Sequence, residues 1–185
     1  PELVLQAYPV GLFPWHQDEK YFYWFSPNPR MVLFPEKVKV TKSMRNVLNQ
    51  NRYRITENKA FEDVIEKCGT IKRKHDGETW ITDDFKSTYS ELHAMGFAKS
   101  IEAWNDKNEL VGGLYGIEIG KVFFGESMFS SETNTSKVCF IHLAKKLTAK
   151  GFDFLDCQAV NPHLKTLGAE EISEAAFLEI LNKSI

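Results

Sequence analysis

Residues 82–125 read TDDFKSTYSELHAMGFAKSIEAWNDKNELVGGLYGIEIGKVFFG, and this stretch decides the fold. Thr82 followed by Asp83 and Asp84 is a helix start, a capping hydroxyl with acids at the positive end of the dipole. Phe85, Tyr89 and Leu92 recur at helical spacing, and Gly96 ends the element. Three strand-like runs follow, Ala98–Trp104, Glu109–Ile119 and Lys121–Gly125. The first two are separated by Asn105-Asp106-Lys107-Asn108 and the second pair by Gly120, both hairpin-turn chemistry. One helix therefore feeds an antiparallel meander.

Downstream, an amphipathic helix is expected over Ser136–Lys150, with Phe140, Leu143, Ala144 and Leu147 on one face. A buried-type strand at Phe152–Gln158 and a helix at Ala175–Asn182 complete the chain. Upstream, Ala60–Cys68 reads as a helix with Phe61, Val64 and Ile65 inward, and Arg52–Thr56 as a strand. Thr41 or Ser43 caps a helix through Met44, Val47 and Leu48, preceded by a short strand at Lys37–Thr41. Gly69–Glu78, with Lys72, Arg73, Lys74 and His75, reads as a solvated basic loop. The first thirty-five residues are dense in aromatics and prolines, which predicts short strands and turns, with Leu3–Tyr8 a helix end stopped by Pro9. The pattern is α+β, in the order found in acyltransferases of the GNAT type.

The totals narrow the class. A chain of 185 residues suffices for one domain, or one with a small appendage, and buries enough core to fold without a disulfide or metal. A formal net charge of −2 argues against a general nucleic-acid coat protein while leaving room for local contact with RNA. Cys68, Cys139 and Cys157 form no CxxC pair, which fits a reducing cytosol and neither a disulfide framework nor a zinc site. No apolar run approaches the length of a membrane span, and no signal peptide is present, so a cytoplasmic protein is expected. The sequence begins at Pro1 without a methionine and reads as trimmed at its N-terminus.

Few residues carry chemistry by pattern alone. Asp156 and Gln158 stand two apart on an expected strand, so both face one side, a carboxylate beside an amide. An ion-paired Asp at a strand end accounts for the same pattern. Glu126 lies between apolar Phe124 and Phe129, and a carboxylate there needs a partner, a cation bound at the site or a Lys or Arg at the core edge. Cys157 should face the other way, into the core. The five histidines, His142 and His163 among them, do not cluster, and no metal or cofactor is called for.

Several strings occur together in a characteristic order: AYPVGLFPW at 7–15, WFSPNPR at 24–30, TWIT at 79–82, VGGLYG at 111–116, FGESMFS at 124–130, NTSK at 134–137 and DCQ at 156–158, with Asn161 beyond. Together they closely resemble the leucyl/phenylalanyl-tRNA-protein transferase family, over almost the whole chain. The resemblance implies a GNAT-like catalytic domain, expected at 61–185, behind a small N-terminal domain, expected at 1–60 and incomplete because family sequences extend further upstream. It implies transfer of Leu, Phe and less readily Met from aminoacyl-tRNA to proteins beginning with Arg or Lys, marking them for degradation. It also implies that Asp156 acts as base or electrostatic anchor and Gln158 as relay or orienter. Leu114, Phe123, Met128, Phe140 and Leu143 would line an apolar pocket, although on pattern alone each reads first as ordinary core. Tyr8, Trp15 and Trp80 would surround the terminal adenosine of the tRNA, and Glu126 and Asn161 would be polar pocket residues. Family members carry a dense basic cluster where this chain keeps Lys42 and Arg45 but has neutral Asn46, Asn49 and Gln50.

Two other readings compete. A CoA-dependent N-acyltransferase would present a Gly-rich turn entering a helix, and Ser131-Glu132-Thr133-Asn134 before Ser136 is not one. A non-catalytic RNA- or peptide-binding adaptor would have less reason to keep Asp156 and Gln158.

Overall fold

A computed structural model describes residues 1–17, 22–70 and 81–185. Helix α1 (Glu2–Ala7) runs into a 3-10 turn at Tyr8–Val10, where Pro9 ends the helix, and Gly11 turns the chain with φ of 81°. Strands β1 (Phe13–Gln17) and β2 (Phe22–Phe25) form a two-stranded antiparallel sheet. Strand β3 (Arg30–Leu33), a 3-10 turn at Pro35–Lys37, helix α2 (Lys42–Asn49) and strand β4 (Arg54–Glu57) follow. Helices α3 (Phe61–Thr70) and α4 (Asp83–Ala94) lead into the meander β5 (Ala98–Trp104), β6 (Leu110–Ile119) and β7 (Val122–Ser130). Helix α5 (Thr135–Lys150), β8 (Phe154–Gln158), α6 (Pro162–Thr166), β9 (Glu170–Ile172) and α7 (Glu174–Ser184) complete it.

The main sheet has seven strands in the order β4-β5-β6-β7-β8-β3-β9. Every neighbouring pair is antiparallel except β7 and β8, which are parallel and joined by α5. Helix α5 covers one face, where Cys139, Phe140, Leu143 and Leu147 pack with Leu114, Phe123 and Leu155. On the other face Phe61, Phe85 and Tyr89 of α3 and α4, and Phe177 of α7, pack with Tyr115, Phe124 and Phe154. This is the expected α+β order of helix, meander, helix and strand.

Local chemistry explains the boundaries. Thr82 Oγ1 accepts from the Phe85 N–H at 3.3 Å, and Thr41, not Ser43, caps α2 through the Met44 N–H at 3.2 Å. Lys37–Thr41 is not the expected strand: Pro35 sets a 3-10 turn, and the Lys39 N–H bonds only the Leu167 carbonyl, at 2.8 Å. Strand β7 runs past Gly125 to Ser130, and the short elements α6 and β9 carry no periodic signal. Strands β3 and β4, both before residue 60, belong to the seven-stranded sheet. The basic residues Lys72, Arg73, Lys74 and His75, like Trp80, lie outside the described residues.

Two irregularities shape the sheet's centre. Tyr115 opposes Ser127 while Gly116 opposes Gly125, so Glu126 is an extra residue in β7. Met31 opposes Gln158 while Val32 opposes Asp156, so Cys157 is an extra residue in β8. Gly116 makes the first possible, because a Cβ there would stand 2.2 Å from the Phe124 carbonyl oxygen and 2.5 Å from the Phe123 ring. Gly116→Ala is therefore expected to lower the stability of the fold by about 1–3 kcal/mol, measured as a lower urea midpoint, as overpacking does.

Candidate active site

Strands β7 and β8 are in register only from Val122 with Phe154 to Phe124 with Asp156. Beyond that pair each strand takes in its extra residue, and a bulge bends the strand that carries it. A cavity of about 560 Å³ lies there, walled by Gly125–Ser130 on one side and residues 157–161 on the other. Leu114, Met128 and Phe140 give it an apolar wall, and Pro14 and Trp15 reach its edge from β1.

Glu126 is the polar centre. Its Oε1 accepts from the Tyr8 hydroxyl at 2.7 Å and from Gln158 Nε2 at 2.9 Å, and its Oε2 from the Tyr89 hydroxyl at 3.0 Å. The two hydroxyls are themselves 2.7 Å apart. Among the described residues no Lys, Arg or His forms an ion pair with Glu126, so the core-edge salt bridge considered for it is replaced by neutral donors. Burial pushes the carboxyl up to about 7; the three donors pull against that shift, and the charge on Asp156 adds to it.

Asp156 has a different environment. Fully buried, it is held by the fully buried Arg30 at both oxygens, Nε to Oδ1 at 2.9 Å and Nη2 to Oδ2 at 2.6 Å. Its Oδ1 also accepts the Gln158 backbone N–H at 2.9 Å. It does not line the cavity, and a carboxylate so engaged has no oxygen turned toward a substrate. Gln158 lines the cavity with left-handed backbone (φ 64°), unusual for a residue with a side chain.

The other expected residues divide by depth. Leu114, Met128, Phe140 and Asn161 line the cavity, whereas Phe123 and Leu143 are buried behind its wall. The Asn161 side-chain oxygen caps α6 by accepting from the His163 N–H at 2.9 Å, leaving its amide N–H groups for the cavity. Trp15 is 41% exposed at the rim, in tilted contact with Phe25 at 5.8 Å between ring centroids. Tyr8, expected beside it as a stacking surface, is fully buried with its ring against Phe124, and reaches the site only through its hydroxyl. Trp80 lies outside the described residues. Cys157 packs against the α5-side core, but it does not face away from Gln158 as expected. It is the extra residue of β8, the bulge breaks the alternation, and it lines the cavity beside Gln158. Burial pushes its thiol up, away from a thiolate nucleophile.

Two residues were missed from sequence. Tyr89 reads as an ordinary inward position of α4, and nothing in its spacing marks the hydroxyl. Arg30 had a signal: it opens the apolar run Arg30-Met31-Val32-Leu33, and a cation there requires a buried anion. Among the described residues no group of three or more His, Cys, Asp or Glu side chains could hold a metal ion, and no helix is long and apolar enough to cross a membrane.

The raised Glu126 carboxyl makes stability depend on pH. Folding favours its protonated form, so its contribution is fully present below about 4.5 and is lost as the pH rises through about 7. Urea titrations from pH 4.5 to 8 should show wild type losing about 2–3 kcal/mol relative to Glu126→Gln over this window. Parallel curves for the two proteins would refute the raised value.

Comparison with known proteins identifies the family. The family model described as leucyl/phenylalanyl-tRNA protein transferase matches residues 32–182, and the model for its N-terminal domain matches residues 1–28. A leucyl/phenylalanyl-tRNA–protein transferase of Christiangramia forsetii is 49% identical over 183 residues, covering 98% of this chain and 86% of the relative. That of Syntrophobacter fumaroxidans is 46% identical over 184 residues, covering 100% of this chain and 78% of the relative. Solved structures are similar more loosely: L-PGS from Bacillus licheniformis has a TM-score of 0.49 at 9% identity, covering 85% of this chain and 57% of that one. An acetyltransferase of the GNAT family from Staphylococcus aureus has a TM-score of 0.44 at 13% identity, covering 56% and 70%. With family models spanning nearly every residue and relatives close to half identical along their length, the chain belongs to the leucyl/phenylalanyl-tRNA protein transferase family.

Proposed function

We propose that the cavity between β7 and β8 is where an aminoacyl ester of tRNA meets the α-amino group of an acceptor protein. The chain is an aminoacyltransferase that moves leucine or phenylalanine from tRNA to proteins beginning with Arg or Lys. Methionine is a poorer donor in this reading, and the product is marked for degradation in the cytoplasm. The observation that carries the site assignment is Glu126, a carboxyl near neutrality held by three neutral donors beside an apolar wall.

The reaction is aminolysis of an ester. The amine nitrogen bonds to the carbonyl carbon, the bond from that carbon to the ribose oxygen breaks, and the amine's proton ends on that oxygen. A free α-amino group titrates at about 7.7–8.0, close to the value at Glu126, so the carboxylate can hold the ammonium form and take its proton at little cost. Gln158 orients Glu126, and Asp156 anchors Gln158. Leu114, Met128 and Phe140 receive the aminoacyl side chain, with Phe123 and Leu143 backing them. Apolar discrimination of this kind amounts to about 1–3 kcal/mol, so selectivity among Leu, Phe and Met is graded. Trp15 stacks on the terminal adenine, a contribution of about 1–3 kcal/mol, and Asn161 supplies an amide donor at the rim.

The competing CoA reading lacks support here. The Ser136 N–H in the first turn of α5 is already bonded to Ser130 Oγ at 2.9 Å, which leaves less of that turn free for a pyrophosphate. For tRNA docking, exposed Lys42, Arg45 and Arg52 are fewer phosphate partners than the family's basic cluster, which implies a shallow salt dependence. We read the join between the small N-terminal unit and the catalytic unit as lying near residue 30, not 60, because β3 and β4 are part of the main sheet.

The test follows labelled phenylalanine from Phe-tRNA to peptides beginning with Arg or Ala. Transfer to the Arg peptide alone is expected, and Glu126→Gln should slow it on the order of hundredfold or more. Asp156→Ala should slow it too, with a loss of stability that Glu126→Gln does not share. Full activity of Glu126→Gln would remove the base assigned here, and no transfer from Phe-, Leu- or Met-tRNA by folded protein would sink the reading as a whole.

A further inference from the structure

Glu126 receives its donors from opposite sides: Gln158 comes from the end of β8, and Tyr8 from the 3-10 turn after α1. The two segments are far apart in sequence, yet both are tied to a single side chain. Arg30 Nη1 donates to the Gly11 carbonyl at 2.9 Å, while Nε and Nη2 grip Asp156. The Gly11 N–H closes back on the Tyr8 carbonyl at 2.9 Å, so fixing Gly11 fixes the turn that carries Tyr8. Asp156 Oδ1 holds the Gln158 N–H at 2.9 Å, and Gln158 keeps a left-handed backbone that few residues with side chains adopt. The guanidinium is itself fixed between two rings, 4.7 Å from the Phe13 centroid and 4.3 Å from that of Phe177.

We propose that Arg30 is a positioning residue of the transfer reaction, one guanidinium that sets two of the three donors on Glu126, Gln158 through Asp156 and Tyr8 through the Gly11 carbonyl. It touches neither substrate. All five of its N–H groups lie in one plane, so the direction in which it holds Asp156 also fixes the direction in which it holds Gly11. A lysine offers charge without that plane. The inference rests on the reading of Glu126 as the group facing the reacting amine, and its test is built to separate the two.

The groups that face Glu126 are the hydroxyls of Tyr8 and Tyr89, the Gln158 amide and, through space, the Asp156 carboxylate. Donors favour the ionised form, so misplacing them moves the Glu126 titration upward from about 7. Carbon-13 NMR of the glutamate carboxyls, with Glu126 assigned by Glu126→Gln, reads this in the protein without substrates. Arg30→Lys and Gln158→Ala should each raise the Glu126 midpoint by about one pH unit. The double variant should add little beyond the larger single shift in this and in kcat, because Arg30 acts partly through Gln158. With the transfer assay, kcat for Arg30→Lys should fall about tenfold or more with KM for Phe-tRNA little changed.

An unmoved Glu126 midpoint in Arg30→Lys, in folded protein where Gln158→Ala does move it, overturns the proposal and leaves Arg30 a stabilising residue alone. If Arg30→Lys does not fold, Arg30→Gln with Asp156→Asn removes both buried charges together. That pair also removes the Asp156 charge, which by itself lowers the midpoint, so it is read at Tyr8 instead. The Tyr8 ring resonances should move, because the Gly11 carbonyl loses its guanidinium donor, and unmoved Tyr8 resonances overturn the proposal equally. A shifted midpoint with unchanged transfer rates keeps the positioning and refutes the role given to Glu126.

Discussion

The fold hangs on the Arg30–Asp156 pair. Both side chains are essentially without exposure, 1% and 0% of their surface, so each has lost its hydration and must recover it from protein. The bidentate contact recovers part of it, and the Gly11 carbonyl, the Gln158 N–H and the rings of Phe13 and Phe177 recover more. Buried pairs of this kind are rarely more stable than hydrophobic substitutes, but breaking one by removing a single partner costs about 3–5 kcal/mol. What the pair supplies is direction. An apolar pair could fill the same space between β3 and β8 without orienting the end of β8 or the turn after α1.

Orientation matters because the site is built from departures from regular structure. Strands β7 and β8 are parallel neighbours for three residue pairs, then each takes in one extra residue and they separate. In β7 the extra residue is Glu126 itself, which the bulge turns toward Tyr8, Tyr89 and Gln158. Gly116 admits this by leaving room for the Phe124 carbonyl, and Gly112 admits α5, since a Cβ there would lie 2.4 Å from that of Thr135. Glycines on β6, bulges on β7 and β8 and a fixed guanidinium behind them are parts of one geometric solution.

The sequence was most legible where periodicity and punctuation agree. Thr82, Asp83 and Asp84 start α4, Asn105–Asn108 turns β5 into β6, and Gly120 turns β6 into β7. It was least legible where a tertiary partner decides. Lys37–Thr41 alternates like a strand, but its backbone meets the loop at Leu167 and forms no ladder. Strand β9 is three residues long, with exposed Glu170 and Glu171, so it has no apolar pattern to read. The same divide runs through the site. Short strings singled out Glu126, Asp156 and Gln158, because a family resemblance preserves identity. They did not say that Asp156 is spoken for by Arg30 or that Tyr8 works from beneath the floor, because pairing across 126 or 118 positions leaves no local trace.

Two carboxylates thus stand near each other in different company. Asp156 meets a guanidinium and a backbone N–H, and its charge is part of the architecture. Glu126 meets hydroxyls and an amide, donors strong enough to hold it but too weak to offset its burial, so it titrates near 7. Separating two acids by environment in this way gives one to structure and, in the proposed reaction, leaves the other for proton transfer. For ester aminolysis that is sufficient. The leaving ribose oxygen is already activated relative to an amide, and the attacking amine needs only to be held and deprotonated at neutral pH. A stronger base would gain driving force but would be protonated more of the time at that pH, and a carboxylate with a cationic partner would be a weaker base, so a carboxyl raised to the edge of neutrality suits the chemistry.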